Sequence, residues 1–253
     1  MSVKLIGAIV LSVFALIAKF MPYKAPSSKL TKDMATLGKE YQKWEYLALA
    51  VLFVIVPLMT LGLGLAFRWL IGLGNHHNPA IIYQALPDSS HYYGAGMLMS
   101  LGLVGIPMEL LYRALLKERY AEYTMFTNMK HGFDGWKVFR PMAWTICLAT
   151  TLFLVLLSDY YVEIHSNQIK MNDLFSLKEK VYDFNEISGV HFVEHVKTKK
   201  GLRIEPHYLV SFKNGDYWNT NSGVNKEEQS VAIMKFLSEK SRLPIDTLSY
   251  DPE

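Results

Sequence analysis

Few side chains in this sequence have a type and spacing that could do chemistry. Glu109 and Arg113 stand four residues apart inside an apolar stretch. An ionisable group at membrane depth points first to an ion or proton path. The same spacing also permits an ion pair along one helix face, with the long Arg stem carrying its charge outward. The structural pair is preferred here, because one pair is thin lining for a path. His76, His77 and His91 share one short segment, but adjacent histidines diverge and Asp88 is the lone carboxylate beside them, so no metal site is expected. His191 and His195 lie on one alternating run near Ser188. A triad would need an orienting carboxylate and an oxyanion site as well, and both histidines are read as exposed strand residues.

Lys197, Lys199, Lys200 and Arg203 form the one basic run of the C-terminal region. It is read as a solvated hairpin; the alternative is a contact for an acidic partner or anionic headgroups. The sequence holds no phosphate-cradling glycine loop and no zinc-protease helix motif. Its single cysteine, Cys147, excludes a disulfide framework and a cysteine-based zinc site. No catalytic residue, cofactor or metal is assigned.

The elements that must hold these groups follow from composition. The 253 residues are 51% hydrophobic and 19% charged, with net charge +3. That balance fits an integral membrane protein and gives no sign of a nucleic-acid binder. Four stretches read as spans: 5–18 (extending to about 20), 44–73, 94–116 and 141–158. A helix needs about 20 apolar residues to cross the hydrocarbon core. The first is the shortest, and a retained helix is preferred to a cleaved signal because the small-residue cleavage pattern is poor. Pro141 is placed in the first turn of the fourth span, and Pro57 and Pro107 are expected to bend theirs. Ala8/Ser12, Gly62/Ala66 and Gly96/Ser100 are small pairs that permit close helix approach and leave a homo-oligomer open.

Charge placement orients the spans. Lys19, Lys24, Lys29, Lys32, Lys39 and Lys43 fall in one connection and Lys117, Arg119, Lys130, Lys137 and Arg140 in another, while residues 74–93 hold no Lys or Arg. Basic connections stay cytoplasmic, which places both termini and the C-terminal region on the other side. A helix is expected to continue past the third span to about Lys130, with Gly132 ending it and Asp134 starting the next.

After residue 158 the charge reverses: residues 1–158 hold 14 basic and 8 acidic side chains, residues 159–253 hold 12 and 15. Alternation predicts strands over 160–165, 168–175, 180–184, 190–196, 207–212 and 216–220, with Asn214-Gly215 as a type I′ turn. An amphipathic helix follows, capped by Asn225 with Glu228, its apolar face made by Ile233, Met234, Phe236 and Leu237 and its end marked by Pro244. These 95 or so residues are expected to fold alone.

The segments Asp159-Tyr160-Tyr161-Val162-Glu163-Ile164, Phe175 to Lys180, Tyr182 to Ile187 and Phe236 to Ile245 resemble the bacterial PH-like domain that follows membrane helices in small bacterial proteins. The resemblance implies a half-open antiparallel sheet with a closing helix, used for binding rather than chemistry, on a multi-pass protein of the bacterial inner membrane. A full barrel of that kind has seven strands, one more than the pattern supplies. Lipid-headgroup PH domains use a basic first hairpin, whereas here it is Ser166-Asn167-Gln168. The functional expectation is therefore a non-catalytic, membrane-anchored protein that recognises a protein partner, a bacterial immunity protein being one instance. A subunit of a transport or export complex is the alternative.

Overall fold

The computed structural model describes residues 19–24, 32–74, 80–176, 178–198, 201–220 and 227–250. The expected first span, His76, His77, Lys199, Lys200 and the Asn225 cap lie outside these residues. The chain forms two compact units, Met1–Ala66 with Tyr93–Leu152 and Phe67–Tyr92 with Phe153–Glu253. They are interleaved, where the sequence suggested one boundary after residue 158.

In the membrane unit, helix α1 (Met34–Gly74) runs without interruption through Pro57. At 41 residues it exceeds the hydrocarbon thickness, and its first turns precede the 44–73 stretch. In those turns Leu37 and Tyr41 are fully buried against Tyr112, Leu116 and Phe126. The third span is not one straight helix. It consists of α2 (Ser89–Leu103) and α3 (Gly105–Leu116), broken at Val104, and the broken pair bends by 44°. Pro107 explains the break: it lacks an N–H, and its ring opposes the carbonyl four residues back, that of Leu103. A single 3-10 turn (Lys117–Arg119) leads to α4 (Tyr120–His131), which ends on Gly132 at φ 79° as expected.

Helix α5 (Gly135–Ser158) begins six residues before Pro141, which therefore sits inside it rather than in its first turn. Asp134 starts it by accepting bonds from the Trp136 and Lys137 N–H groups at 3.1 and 3.2 Å. Helices α1 and α5 are long and apolar enough to cross a membrane, and the α2–α4 stretch makes a third crossing if the bent pair is one span. Of the small pairs, Gly96 and Ser100 are buried while Gly62 and Ala66 are exposed. The close approach is Gly96 to Gly64: a Cβ on Gly96 would lie 2.7 Å from the Thr60 carbonyl oxygen.

The second unit is built from two four-stranded sheets, ordered β1-β2-β3-β4 and β7-β6-β5-β8. The strands are β1 (Ile81–Ala85), β2 (Tyr161–His165), β3 (Gln168–Asn172), β4 (Lys180–Asp183), β5 (Ile187–Thr198), β6 (Gly201–Phe212), β7 (Tyr217–Asn219) and β8 (Ile245–Leu248). Helix α6 (Glu227–Ser241) precedes β8 and buries Ile233, Met234 and Leu237 in one core with Val162, Ile164, Ile169, Val190 and Val210. Two strands were not anticipated. Strand β1 comes from the connection between α1 and α2, pairs antiparallel with β2, and places Ala85 in the core. Strand β8 pairs parallel with β5, Val190 opposite Ile245. The hairpin arms are also longer than predicted, since the pairing continues to Thr198 opposite Gly201.

The Asn214-Gly215 turn is present in another form. Positive φ occurs at Gly215 (90°) and not at Asn214. The Gly215 N–H reaches the Phe212 carbonyl at 3.0 Å and Phe212 N–H reaches Asp216. A three-residue connection with one left-handed glycine thus replaces the two-residue type I′ turn.

Candidate functional site

The extramembrane candidates were the basic run and the histidines. Lys197 and Arg203 lie on the β5–β6 hairpin, where Lys197 opposes Leu202 and Val196 opposes Arg203. Directly opposed residues share a face and neighbours alternate, so Lys197 and Arg203 point to opposite faces. Arg203 is 3.6 Å from Glu205 on its own strand. On the Lys197 face stand Leu202 and Ile204, 62% and 78% exposed. The run is a hairpin, and it is not one cationic patch over its described residues.

His191 and His195 are half-buried rather than exposed. The His191 ring folds back over Gly189, where an added Cβ would lie 2.3 Å from Nε2. His195 Nδ1 lies 3.0 Å from the Ser249 carbonyl. A bulge between Val193 and His195 breaks the alternation that was expected to align the two. His91 sits in the first turn of α2, its Nδ1 3.2 Å from the Asp88 carbonyl. Among the described residues no group of three or more His, Cys, Asp or Glu could hold a metal.

Polar side chains tie the two sheets together. Lys180 on β4 lies 3.0 Å from Asp216 and 3.1 Å from Asp173, and the Tyr182 hydroxyl donates to Asp216 at 2.5 Å. The Tyr182 hydroxyl, then Lys180, hold the Asp216 carboxyl below its ordinary range, while the two carboxylates hold the Lys180 ammonium above its own. A similar contact joins β2 to the segment before β4: Tyr161 donates to Glu179, which lowers the Glu179 carboxyl, and burial with that contact raises the Tyr161 phenol. These groups hold the fold together and are committed to one another.

The membrane unit contains the more developed site. Glu109 and Arg113 form the expected i,i+4 pair, with Arg113 Nη2 2.5 Å from Glu109 Oε1. The Arg113 side chain is 62% exposed, and its guanidinium lies 5.4 Å from the Tyr120 ring centroid. Glu109, by contrast, faces a cleft of about 270 Å³ between α1, α3, α4 and α5. The cleft has aromatic walls from Tyr112, Tyr120, Tyr123, Trp136 and Phe139. Local rules fix these rings. The Tyr112 hydroxyl donates to the Trp44 carbonyl, the Tyr112 and Tyr123 rings stack at 5.3 Å, and Trp136 meets Phe139 edge-on at 5.6 Å. Gly105 opens the floor: a Cβ there would lie 2.3 Å from the Phe139 ring.

Three side chains of the polar lining, Glu109, Thr124 and Thr127, offer acceptor oxygens. Thr124 donates its hydroxyl proton to the Tyr120 carbonyl at 2.9 Å, and Thr127 donates to the Tyr123 and Thr124 carbonyls at 3.0 Å. Both hydroxyl oxygens keep lone pairs. Asn128 Oδ1 takes the Gly135 N–H at 3.0 Å. Of this cleft the sequence revealed only Glu109 and its partner. The aromatic walls come from three helices joined through the Lys117–Arg119 turn and the Gly132 turn, and no single periodicity connects them. No family model matches the chain, and no curated protein or solved structure matches it.

Proposed function

We propose that this chain is a membrane-anchored, non-catalytic binding protein of the bacterial inner membrane, with four spans and a PH-like extramembrane unit that recognises a protein partner. An immunity protein that shields its membrane from a toxin is one instance. The observation that carries the reading is the β5–β6 hairpin, which presents Leu202 and Ile204 to solvent on one face while its described basic residues divide between two. An apolar surface with a polar rim suits a protein contact, whereas headgroup recognition needs converging cations. The PH-like reading gains from β1, which supplies the seventh strand that residues 159–220 lack.

On this reading two crossings, the α2–α4 stretch and α5, separate β1 from β2 along the chain and put both on one side of the bilayer, which agrees with their pairing. The basic connections take the cytoplasmic side, and the extramembrane unit takes the other. A periplasm-active reporter fused at Glu253 should function and a cytoplasm-active one should not; the reverse result overturns the orientation. Photocrosslinking residues placed at Leu202 and Ile204 in cells should each give a discrete protein adduct. Adducts to lipid alone would overturn the binding reading.

A subunit of a transport or export complex is the second reading. The broken α2–α3 helix with Glu109 beyond the break favours it, since interrupted helices commonly frame transport sites. Glu109→Gln with normal folding and lost activity would promote it.

A further inference from the structure

The cleft beside Glu109 has a chemistry that the extramembrane unit does not share. Its one ionic group is a carboxylate, which has Arg113 as its ion-pair partner among the described residues. Two more oxygen acceptors, on Thr124 and Thr127, have already given their protons to backbone carbonyls. Five aromatic rings stand beside Ala48, Met108 and Asn128 in the rest of the lining, and ring faces attract cations. The lining holds no cationic donor for an anion: its donors are the neutral Tyr, Trp and Asn groups, of which Asn128 is 9% exposed and the Tyr112 hydroxyl is committed to Trp44. Two guanidiniums lie on the outer walls, Arg113 over Tyr120 and Arg140 over Trp136 at 5.6 Å, and neither side chain lines the cleft.

We propose that this cleft binds a protonated primary amine carried on a small apolar body, the ammonium bonding Glu109, Thr124 and Thr127 and its carbon atoms packing against the tyrosine walls. A primary ammonium offers three donors, which the three acceptors answer. A volume of about 270 Å³ accepts an ethanolamine or short alkylamine group. Two sources carry this chemistry, the headgroup of an ethanolamine phospholipid and a free alkylamine. In the first case Arg113 and Arg140 stand at the walls where the lipid phosphate emerges. The inference does not depend on what the extramembrane unit binds.

The test uses the full chain. In one arm it is placed in phosphatidylcholine nanodiscs doped equally with phosphatidylethanolamine and phosphatidylglycerol, and retained lipid is counted by native mass spectrometry. In the other it is held in nonionic detergent and titrated with butylammonium chloride, following Trp136 emission with Trp136→Phe as the blank. Preferential retention of the ethanolamine lipid identifies a headgroup site; a saturable shift with butylammonium identifies a free-amine site. Glu109→Gln should weaken whichever response occurs by about tenfold, the value of one bond to a charged group. Should that variant fail to fold, the pair Thr124→Val and Thr127→Val, which keeps Glu109, should weaken it several-fold. The proposal is overturned by preference for phosphatidylglycerol, by silence in both arms, or by a response that these variants leave unchanged.

Discussion

The two units sort the same residue types in opposite directions. On α1 of the membrane unit, Phe53, Leu58 and Leu65 are 81%, 63% and 56% exposed, whereas Ser100, Asn128 and Thr150 are buried. In the extramembrane unit Ile164, Ile169, Met234 and Leu237 are at most 1% exposed. Water drives apolar groups together in the second unit. In the first, lipid is as apolar as the side chains, so cohesion comes from close backbone approach and polar contacts. A leucine therefore stabilises the second unit by where it hides, whereas one on the outer face of α1 adds little to cohesion of the first.

The sharpest break of this contrast is a matched truncation. Met234→Ala should cost the extramembrane unit about 2–5 kcal/mol in denaturant unfolding, whereas Leu58→Ala should change the membrane unit by about 0.5 kcal/mol or less. Equal effects would show that the exposed face of α1 is covered by protein. Next in size is the loss of β1. Residues 159–253 alone should be about 2–4 kcal/mol less stable than the same residues with 80–86 tethered to them, because the β2 edge and the seat of Ala85 are then open. Equal stability would mean that β1 decorates a domain already complete.

Glycines probe the membrane unit in the same spirit. Gly96→Val should cost about 1–3 kcal/mol because the new atoms meet the backbone of Thr60 and Gly64. Gly62→Ala, with nothing within 4 Å, should be neutral or stabilising by up to about 1 kcal/mol. Thermal unfolding in detergent separates the two. The smallest effect is electrostatic. The Asp216 carboxyl is lowered by Tyr182 and Lys180, so its contribution is complete above the ordinary carboxylate range and is lost as pH falls through its folded value. The Lys180 contribution runs the other way, present up to the ordinary lysine range and lost as pH rises through its raised value. Asp216→Asn should flatten the acid limb of the pH–stability curve by about 1 kcal/mol or less, the side chains being about one-third exposed.

What could be read from the sequence follows the same division. Apolar length exposed α1 and α5, and alternation exposed β2, β3 and the β5–β6 hairpin, since each signal lies within one contiguous segment. The i,i+4 rule delivered the Glu109–Arg113 pair for the same reason. Strand β1 carries a strand signal, Ile81-Ile82-Tyr83 between Pro79 and Pro87, but it lies in a short connection where the span pattern on either side dominates. Strand β8 escaped because it alternates poorly, its first three residues being exposed. The Val104 break follows from Pro107, but its position three residues earlier depends on helix geometry. The aromatic cleft is a product of packing among helices, which no local pattern records.

The pairing of β1 with β2 has a consequence for biosynthesis. Ala85 leaves the ribosome long before Tyr161, roughly 4–15 s at ordinary elongation rates. During that interval the edge of β1 waits while the α2–α4 stretch and α5 are synthesised. On the four-span reading proposed above, failure of either crossing leaves the two strands on opposite sides of the membrane, and the core they share cannot close. Completion of that core is thus a physical check that the chain has been threaded correctly, and a misthreaded chain is left with an open sheet for quality-control proteases to grasp.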